Sequence, residues 1–193
     1  MDLLNWKKII RDKDGKIIEI HGFKSFGTDG RNINGITFEE GKIYHCDGEI
    51  VYGPLGNGYH MALNLEDTLR FSYNCDGLVL DPIIALVIAR GNIAENKLLD
   101  DDYAGYYDLF ACSDLEIVKY LSRKEIIEYG RNLTSFSRER FLTHYKLLPE
   151  ELEFFWDKKG FNNIVIITQQ LGYDYEEARK MNNSPHVLSY KRK

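Results

Sequence analysis

The sequence is poor in cysteine and proline, and it has no long apolar run. Of its 193 residues, three are cysteine and four are proline. Because Cys46, Cys75 and Cys112 are an odd set without close pairs, the spacing excludes a CxxC metal site and argues against a disulfide framework. No stretch approaches the roughly 20 apolar residues that cross a bilayer, and the N-terminus has no apolar signal core. We therefore expect a cytoplasmic protein without a membrane partner.

The chain also lacks an excess of positive charge. Lysine and arginine total 25 against 30 acidic residues, a net charge of −5, which argues against general nucleic-acid binding through a basic field. The hydrophobic share of 44% is that of an ordinary globular protein. Abundant tyrosine, isoleucine, asparagine and lysine resemble an AT-rich coding bias, so we expect the cytoplasm of a bacterial or phage-infected cell.

Two regions with different patterns make up the chain. Residues 1–130 alternate between short strand patterns, turns and one or two helices, whereas residues 131–193 are mainly helical in pattern. We therefore predict an α+β domain over 1–130 with a helical C-terminal extension over 131–193 packed on it. The predicted strands are 16–21, a pair within 35–44 broken at 40–41, a very short strand between the glycine loop and residue 64, 82–91, 107–113 and 115–121. The predicted helices are 64–71, 123–129, 134–145, 149–158 and 175–182, while 163–168 is either strand or helix.

Local signals support several of these boundaries. Ser122 precedes the helix at 123 and Glu125 follows three residues later, which is a capping box. Gly130 then predicts the end of that helix, and Gly91 the end of the apolar strand 82–91. A tight turn is expected at 113–114, between the last two strands.

The loop from Gly53 to His60 is the most informative stretch for function. Glycines allow positive φ and a close approach of the backbone to a ligand or another strand. The loop delivers His60 just before a helix start that Asn64 is suited to cap. This placement favours a binding site at His60, and a packed core histidine is the alternative.

Residues 22–126 resemble a group of uncharacterised bacterial and phage domains. Their shared order is an opening G-F, a strand of the form Y/F-E-x-G-K-x-Y, a G-F/Y-H loop before D-x-L, a strand that ends in glycine and a final L-S/T-x-E-E/K. This resemblance implies no transferable activity. The matching residues here are Gly22-Phe23, 38–44, 58–60 with 67–69, Gly91 and 121–125.

Three segments follow one another along the chain: Ile20-His21-Gly22, Gly56 to Ala62, and Lys119-Tyr120-Leu121. In this order they are more distantly similar to the ADP-ribosyltransferase fold, including its poly-ADP-ribose polymerase branch. This similarity implies a small split antiparallel or mixed β-sheet core, NAD as co-substrate, and an unknown protein or nucleic-acid target.

The resemblance also implies roles for individual residues. A carboxylate would stabilise the positive charge that develops on the ribose as nicotinamide leaves, and aromatic or histidine faces would hold the ring. The usual catalytic glutamate is missing. The residues implied as catalytic are His21, His60, Tyr107 and Asp108, and those implied as cofactor-binding are Gly22, Gly58 and Tyr59.

Two hypotheses therefore remain open. In the first, the chain is an NAD-utilising ADP-ribosyltransferase; in the second, it is a catalytically inactive binding or accessory module on the same scaffold. The missing glutamate favours the second, whereas the His-Gly strand and the glycine loop favour a retained pocket. No metal site is expected, because the consecutive acids 100–102 suit a solvated loop and His45-Cys46 has no spaced partners.

Overall fold

The computed structural model describes residues 2–26, 36–53, 56–69, 80–96, 108–156 and 162–182. A π-helical segment, Ile166–Gln170, directly follows the helix Asn162–Val165. The strands are β1 (Lys8–Arg11), β2 (Ile17–Phe26), β3 (Ile43–His45), β4 (Tyr59–Ala62), β5 (Ile83–Glu95) and β6 (Leu109–Tyr120). The helices are α1 (Leu65–Leu69), α2 (Arg123–Arg131), α3 (Ser135–His144), α4 (Leu152–Phe155), α5 (Asn162–Val165) and α6 (Tyr175–Asn182).

The strand pairings close a ring. β2 pairs with β5, β5 with β6, β6 with β4, and β4 pairs back to β2 through Phe23 and Ala62. β1 joins the ring on β2, and β3 joins it on β6. Every pairing is antiparallel, so the described chain is an α+β structure built on one six-stranded antiparallel sheet.

The two long strands differ from the prediction at one place. β5 does not end at Gly91, and β6 is one strand rather than two joined by a turn at Ser113–Asp114. The register of the β5–β6 pairing shifts between Arg90 and Ile93, and both predicted strand breaks lie at this shift. Gly91 has a φ of 76°, and a Cβ there would overlap the side chains of Ser113 and Asp114. These residues therefore form a bulge inside a continuous ladder.

The helical predictions fare better because their signals are local. The capping box of Ser122 and Glu125 is confirmed, and α6 spans the predicted residues. The prediction that Gly130 ends α2 is wrong, since the helix continues to Arg131. A Cβ on Gly130 would lie 2.7 Å from the ring of Phe141, so this glycine lets α3 approach closely. Residues 163–168 are helical, and of the pair expected within 35–44 only β3 is a strand in the described residues 36–44.

Alternation of side chains along the strands separates two apolar cores. The inner core fills the ring, whereas the outer core lies between the ring and the helices. The inner core includes Ile20, Phe26, Met61, Val87, Phe110, Cys112, Leu115 and Ile117. The outer core includes Phe23, Leu65, Leu69, Leu86, Ile126, Phe141, Tyr145 and Phe155.

Gly22 allows β2 to cross β4 closely enough for the ring to close. A Cβ on Gly22 would overlap the carbonyl oxygen of Ala62 and the terminal methyl of Met61. The Gly22 carbonyl also accepts a hydrogen bond of 3.0 Å from Trp6 Nε1. The crossing therefore requires the absence of a side chain at this position.

A buried charged cluster joins α1 to the later helices. Glu66 and Asp67 are 2% and 0% exposed, and Arg140 of α3 forms ion pairs with both. The hydroxyl of Tyr129 in α2 donates a 2.7 Å hydrogen bond to Glu66. Burial raises the pKa of Asp67 to about 6, although Asn64 and Arg140 oppose this shift. The ionised Asp67 is therefore costly to bury.

We predict that Gly22→Ala lowers the free energy of unfolding by at least about 2–3 kcal/mol, because the new Cβ forces β2 and β4 apart. Urea unfolding followed by circular dichroism measures this effect. Gly15→Ala is the control, since nothing lies within 4 Å of its Cβ position and only its φ of 84° is strained. The control should lose about 1 kcal/mol. Equal losses in both variants would contradict the close crossing.

We predict that Asp67→Asn removes a pH-dependent term from stability. With its pKa raised from 3.8 to about 6, the folded state binds more protons than the unfolded state between these values. The free energy of unfolding of the wild type therefore falls across this window as pH rises, by up to about 3 kcal/mol from this group. Urea unfolding across that range should show a smaller slope in Asp67→Asn, and no change of slope in the exposed control Glu150→Gln.

Candidate functional site

His21 lies in a charged network on the outer face of the ring. Its Nε2 is 2.7 Å from Glu19 Oε1, and its ring centroid is 4.9 Å from that of Trp6. Glu19 also accepts a 2.6 Å hydrogen bond from Arg90, which in turn bonds Glu116 at 2.7 Å. The hydrogen bonds from His21 and Arg90 lower the pKa of Glu19. Local contacts therefore account for the position of His21.

The two glycines implied as cofactor-binding lie at close backbone contacts. Gly22 is at the crossing of β2 and β4. Gly58 has a φ of 119°, and a Cβ there would lie 3.0 Å from Ile50 Cγ2 and 3.1 Å from the carbonyl of Cys112. Chain packing requires glycine at both positions, whether or not a ligand binds nearby.

Tyr59 faces the inner core. Its ring packs edge-on against Phe38 and Tyr44, and its hydroxyl donates a 3.2 Å hydrogen bond to the carbonyl of His45. Asp108 is exposed just before β6, and its carbonyl accepts a 2.8 Å hydrogen bond from Leu63 N. Tyr107 and the acidic run 100–102 lie outside the described residues.

His60 is held in one orientation by the preceding loop. Its Nε2 accepts a 3.2 Å hydrogen bond from Gly53 N, and its ring lies 5.1 Å from that of Tyr52. Because Nε2 accepts, the proton of the neutral ring is on Nδ1. Burial, and then the charge of Lys24, lower the pKa of His60. The imidazole is therefore neutral at neutral pH.

The register places His21 and His60 on the same outer face of the ring. Phe23 pairs with Ala62, and each histidine lies two residues from that pair along its own strand. Their contacts differ, however: within the described ranges the two rings share no hydrogen-bond or ring partner. Each histidine is thus held by a separate set of neighbours.

Lys24 is a residue of this region that the sequence analysis missed. Its side chain points toward the inner core, where Nζ donates a 2.7 Å hydrogen bond to the carbonyl of His60 and lies 5.6 Å from the ring centroid of Phe26. No carboxylate pairs with it in the described part of the chain. Burial lowers the pKa of Lys24 to about 8.

A signal for Lys24 does exist in the sequence. Ile20, Gly22 and Phe26 occupy the even positions of β2 and face inward, so a lysine at 24 interrupts an apolar face. The predicted strand ended at His21, and the alternation was therefore not followed to Lys24. A lysine on the inner face of a longer strand is a candidate functional residue.

The arrangement suits binding of an anion more than nucleophilic chemistry. An ammonium group has three N–H donors, and Lys24 uses one of them within the described structure. The neighbouring Cys112 is not an activated nucleophile, because burial raises the pKa of its thiol to about 12. The described residues contain no group of three or more histidine, cysteine or acidic side chains that could hold a metal ion.

An open cavity of about 620 Å³ lies on the other side of Tyr52, and neither Lys24 nor His60 lines it. Tyr52, which contacts His60, is part of its wall, and Arg11 and Lys16 contribute positive charge. Glu95 also lines the cavity and lies 3.6 Å from Arg11. The space is of a size that small-molecule sites commonly have.

Comparison of the chain with protein-family models, with curated proteins and with solved structures gives no match. In the described residues, no helix combines the length and the apolar character needed to cross a membrane. The relation to the ADP-ribosyltransferase fold and the roles of the site residues therefore stay predictions.

We predict that Lys24→Met raises the free energy of unfolding by about 1–3 kcal/mol near neutral pH, because an unpaired, partly buried cation is removed and the side-chain volume is kept. Since the folded pKa is about 8 and the ordinary value 10.5, wild-type stability rises with pH across that window. The difference between variant and wild type should shrink over the same range. Urea unfolding at several pH values measures it.

Lys13→Met is the matched control, because Lys13 is exposed in the turn between β1 and β2. It should leave stability within about 0.5 kcal/mol of wild type. Loss of stability in Lys24→Met at every pH would mean that the ammonium is stabilised by the fold, contrary to the prediction.

Proposed function

We propose that the chain is a binding module for a small phosphorylated ligand held by the ammonium of Lys24, and that it carries out no group transfer. The observation that supports this most is the cation of Lys24, which is partly buried beside the backbone carbonyl of His60 and has no carboxylate partner in the described structure. An unbalanced cation in an apolar setting is stabilised by an anion. Phosphate oxygens would accept hydrogen bonds from the two remaining N–H groups of the Lys24 ammonium.

NAD is the first candidate ligand, because of the resemblance to the ADP-ribosyltransferase fold. Its two phosphates suit the positive charge of the Lys24 ammonium. The absence of a matching glutamate favours binding without cleavage of the nicotinamide–ribose bond. The same chain acting as an NAD-utilising ADP-ribosyltransferase is the competing hypothesis.

Calorimetric titration with NAD tests the proposal. We expect saturable binding to wild type, and a loss of about tenfold or more in Lys24→Met, since its charge-assisted hydrogen bonds to the ligand are removed. His60→Ala removes a ring on the outer face and Lys13→Met removes an exposed lysine, so neither should weaken binding. Because the pKa of Lys24 is about 8, affinity should fall as pH rises through that value in wild type and not in Lys24→Arg.

Chromatographic assay of nicotinamide release separates the two hypotheses. Binding without release supports a binding module, whereas release that is lost in His60→Ala supports the transferase. If NAD, ADP-ribose and pyrophosphate all fail to bind the wild-type protein, both hypotheses are overturned. Binding that is equal in Lys24→Met and wild type would reject the site at Lys24.

A further inference from the structure

A second cavity, of about 490 Å³, lies where the ring meets the helices. It is formed by the start of β5, the end of β6 and the first residues of α2, with Phe38 and Tyr145 completing the wall. Most of the lining is apolar or aromatic, including Phe38, Tyr120 and Ile126. Its volume and lining are those of a small-molecule site.

Tyr145 is the notable polar group of this cavity. The residue is 0% exposed, and its ring stacks on Phe141 with centroids 5.0 Å apart and an interplanar angle of 20°. Its hydroxyl is buried and has no hydrogen-bond partner among the described residues. Burial raises the pKa of this phenol, so the hydroxyl keeps its proton and remains a donor. A buried donor without an acceptor is uncommon in folded proteins.

The charges beside the cavity are already balanced. Arg123 donates to both carboxylate oxygens of Glu151, at 2.8 and 2.6 Å, and to the carbonyl of Lys146 at 2.9 Å. It also forms an ion pair with Asp81. Two carboxylates thus surround one guanidinium, and this balance disfavours an anionic ligand.

The backbone at the cavity rim is strained. Asp81 has a φ of 52° and precedes Pro82, a position that normally favours an extended conformation. The ion pair with Arg123 holds it there.

Tyr120, on the wall, differs from Tyr145 because its hydroxyl is satisfied by the carbonyl of Phe38 at 2.9 Å.

We propose that this cavity binds a small, uncharged, planar heteroaromatic compound whose ring nitrogen accepts a hydrogen bond from Tyr145. The rings of Phe38 and Tyr120 supply faces and edges for such a compound. Tyr145 lines the cavity, and a small shift of this wall would let its fully buried, unpartnered hydroxyl supply the one directional contact that an apolar cavity needs for specificity. This site is separate from the one proposed at Lys24, and its test does not depend on that proposal.

Titration with quinoline, followed by amide chemical shifts of the full chain, tests the inference. Quinoline has a ring-nitrogen acceptor, whereas indole is similar in size and offers only a donor. We expect quinoline to bind about tenfold more tightly than indole, with shifts centred on Phe38, Tyr120 and Ile126. Tyr145→Phe should remove this preference and leave indole binding unchanged.

Tyr59→Phe is the matched control, because it removes a hydroxyl outside the cavity that the chain itself satisfies through the carbonyl of His45. It should keep the preference for quinoline and should lower the melting temperature. The ligand-free Tyr145→Phe variant should instead melt at or above the wild-type temperature, since it removes an unsatisfied group. Failure of quinoline to saturate, shifts elsewhere in the chain, an unchanged preference in Tyr145→Phe or its lower melting temperature would each overturn the inference.

Discussion

The close crossing of β2 and β4 at Gly22 is the constraint on which the rest of the structure depends. The ring closes only because no side chain separates Gly22 from Ala62 and Met61. Closure gives each strand an inner and an outer face, so that Phe23 packs under the helices while its neighbour Lys24 points inward. The helices, the inner core and the environment of Lys24 all follow from this contact.

Buried charge occurs in two forms in this fold, and the difference guides the functional interpretation. Glu66 and Asp67 are paired with Arg140 and bonded to their surroundings, so they serve to hold α1 against α2 and α3. Among the described residues, the contacts of the Lys24 ammonium are a backbone carbonyl and an aromatic ring. A paired buried charge is explained by the fold, whereas one without a counter-charge is the basis for the ligand that we propose.

The glycines that carry the resemblance to ADP-ribosyltransferases have structural roles that need no ligand. Gly22 and Gly58 both lie where a Cβ would meet the backbone of another strand. Similar glycines would therefore arise in any chain that folds its strands this way. Side chains that carry functional groups, such as Lys24 and His60, are consequently better guides to function here than the glycine spacing.

Local patterns in the sequence were sufficient for the features that depend on neighbouring residues. The capping box at Ser122 and the bounds of α6 are of this kind, because helix caps are set within a few residues. The glycine loop also drew attention to His60, which lies in β4, and its role stays a prediction.

Only the tertiary structure decided the features that depend on distant contacts. A glycine commonly marks the end of a strand or a helix, and Gly91 and Gly130 are predicted to be such ends. Each lies inside its element instead, and a distant side chain fills the space where its Cβ would be. Ring closure places the Lys24 ammonium beside the carbonyl of His60, 36 residues away, a contact that the strand pattern alone does not predict. The unpartnered hydroxyl of Tyr145 likewise depends on helices that pack from elsewhere in the chain. Sequence patterns report short-range preferences, whereas these sites arise from the long-range packing that overrides them.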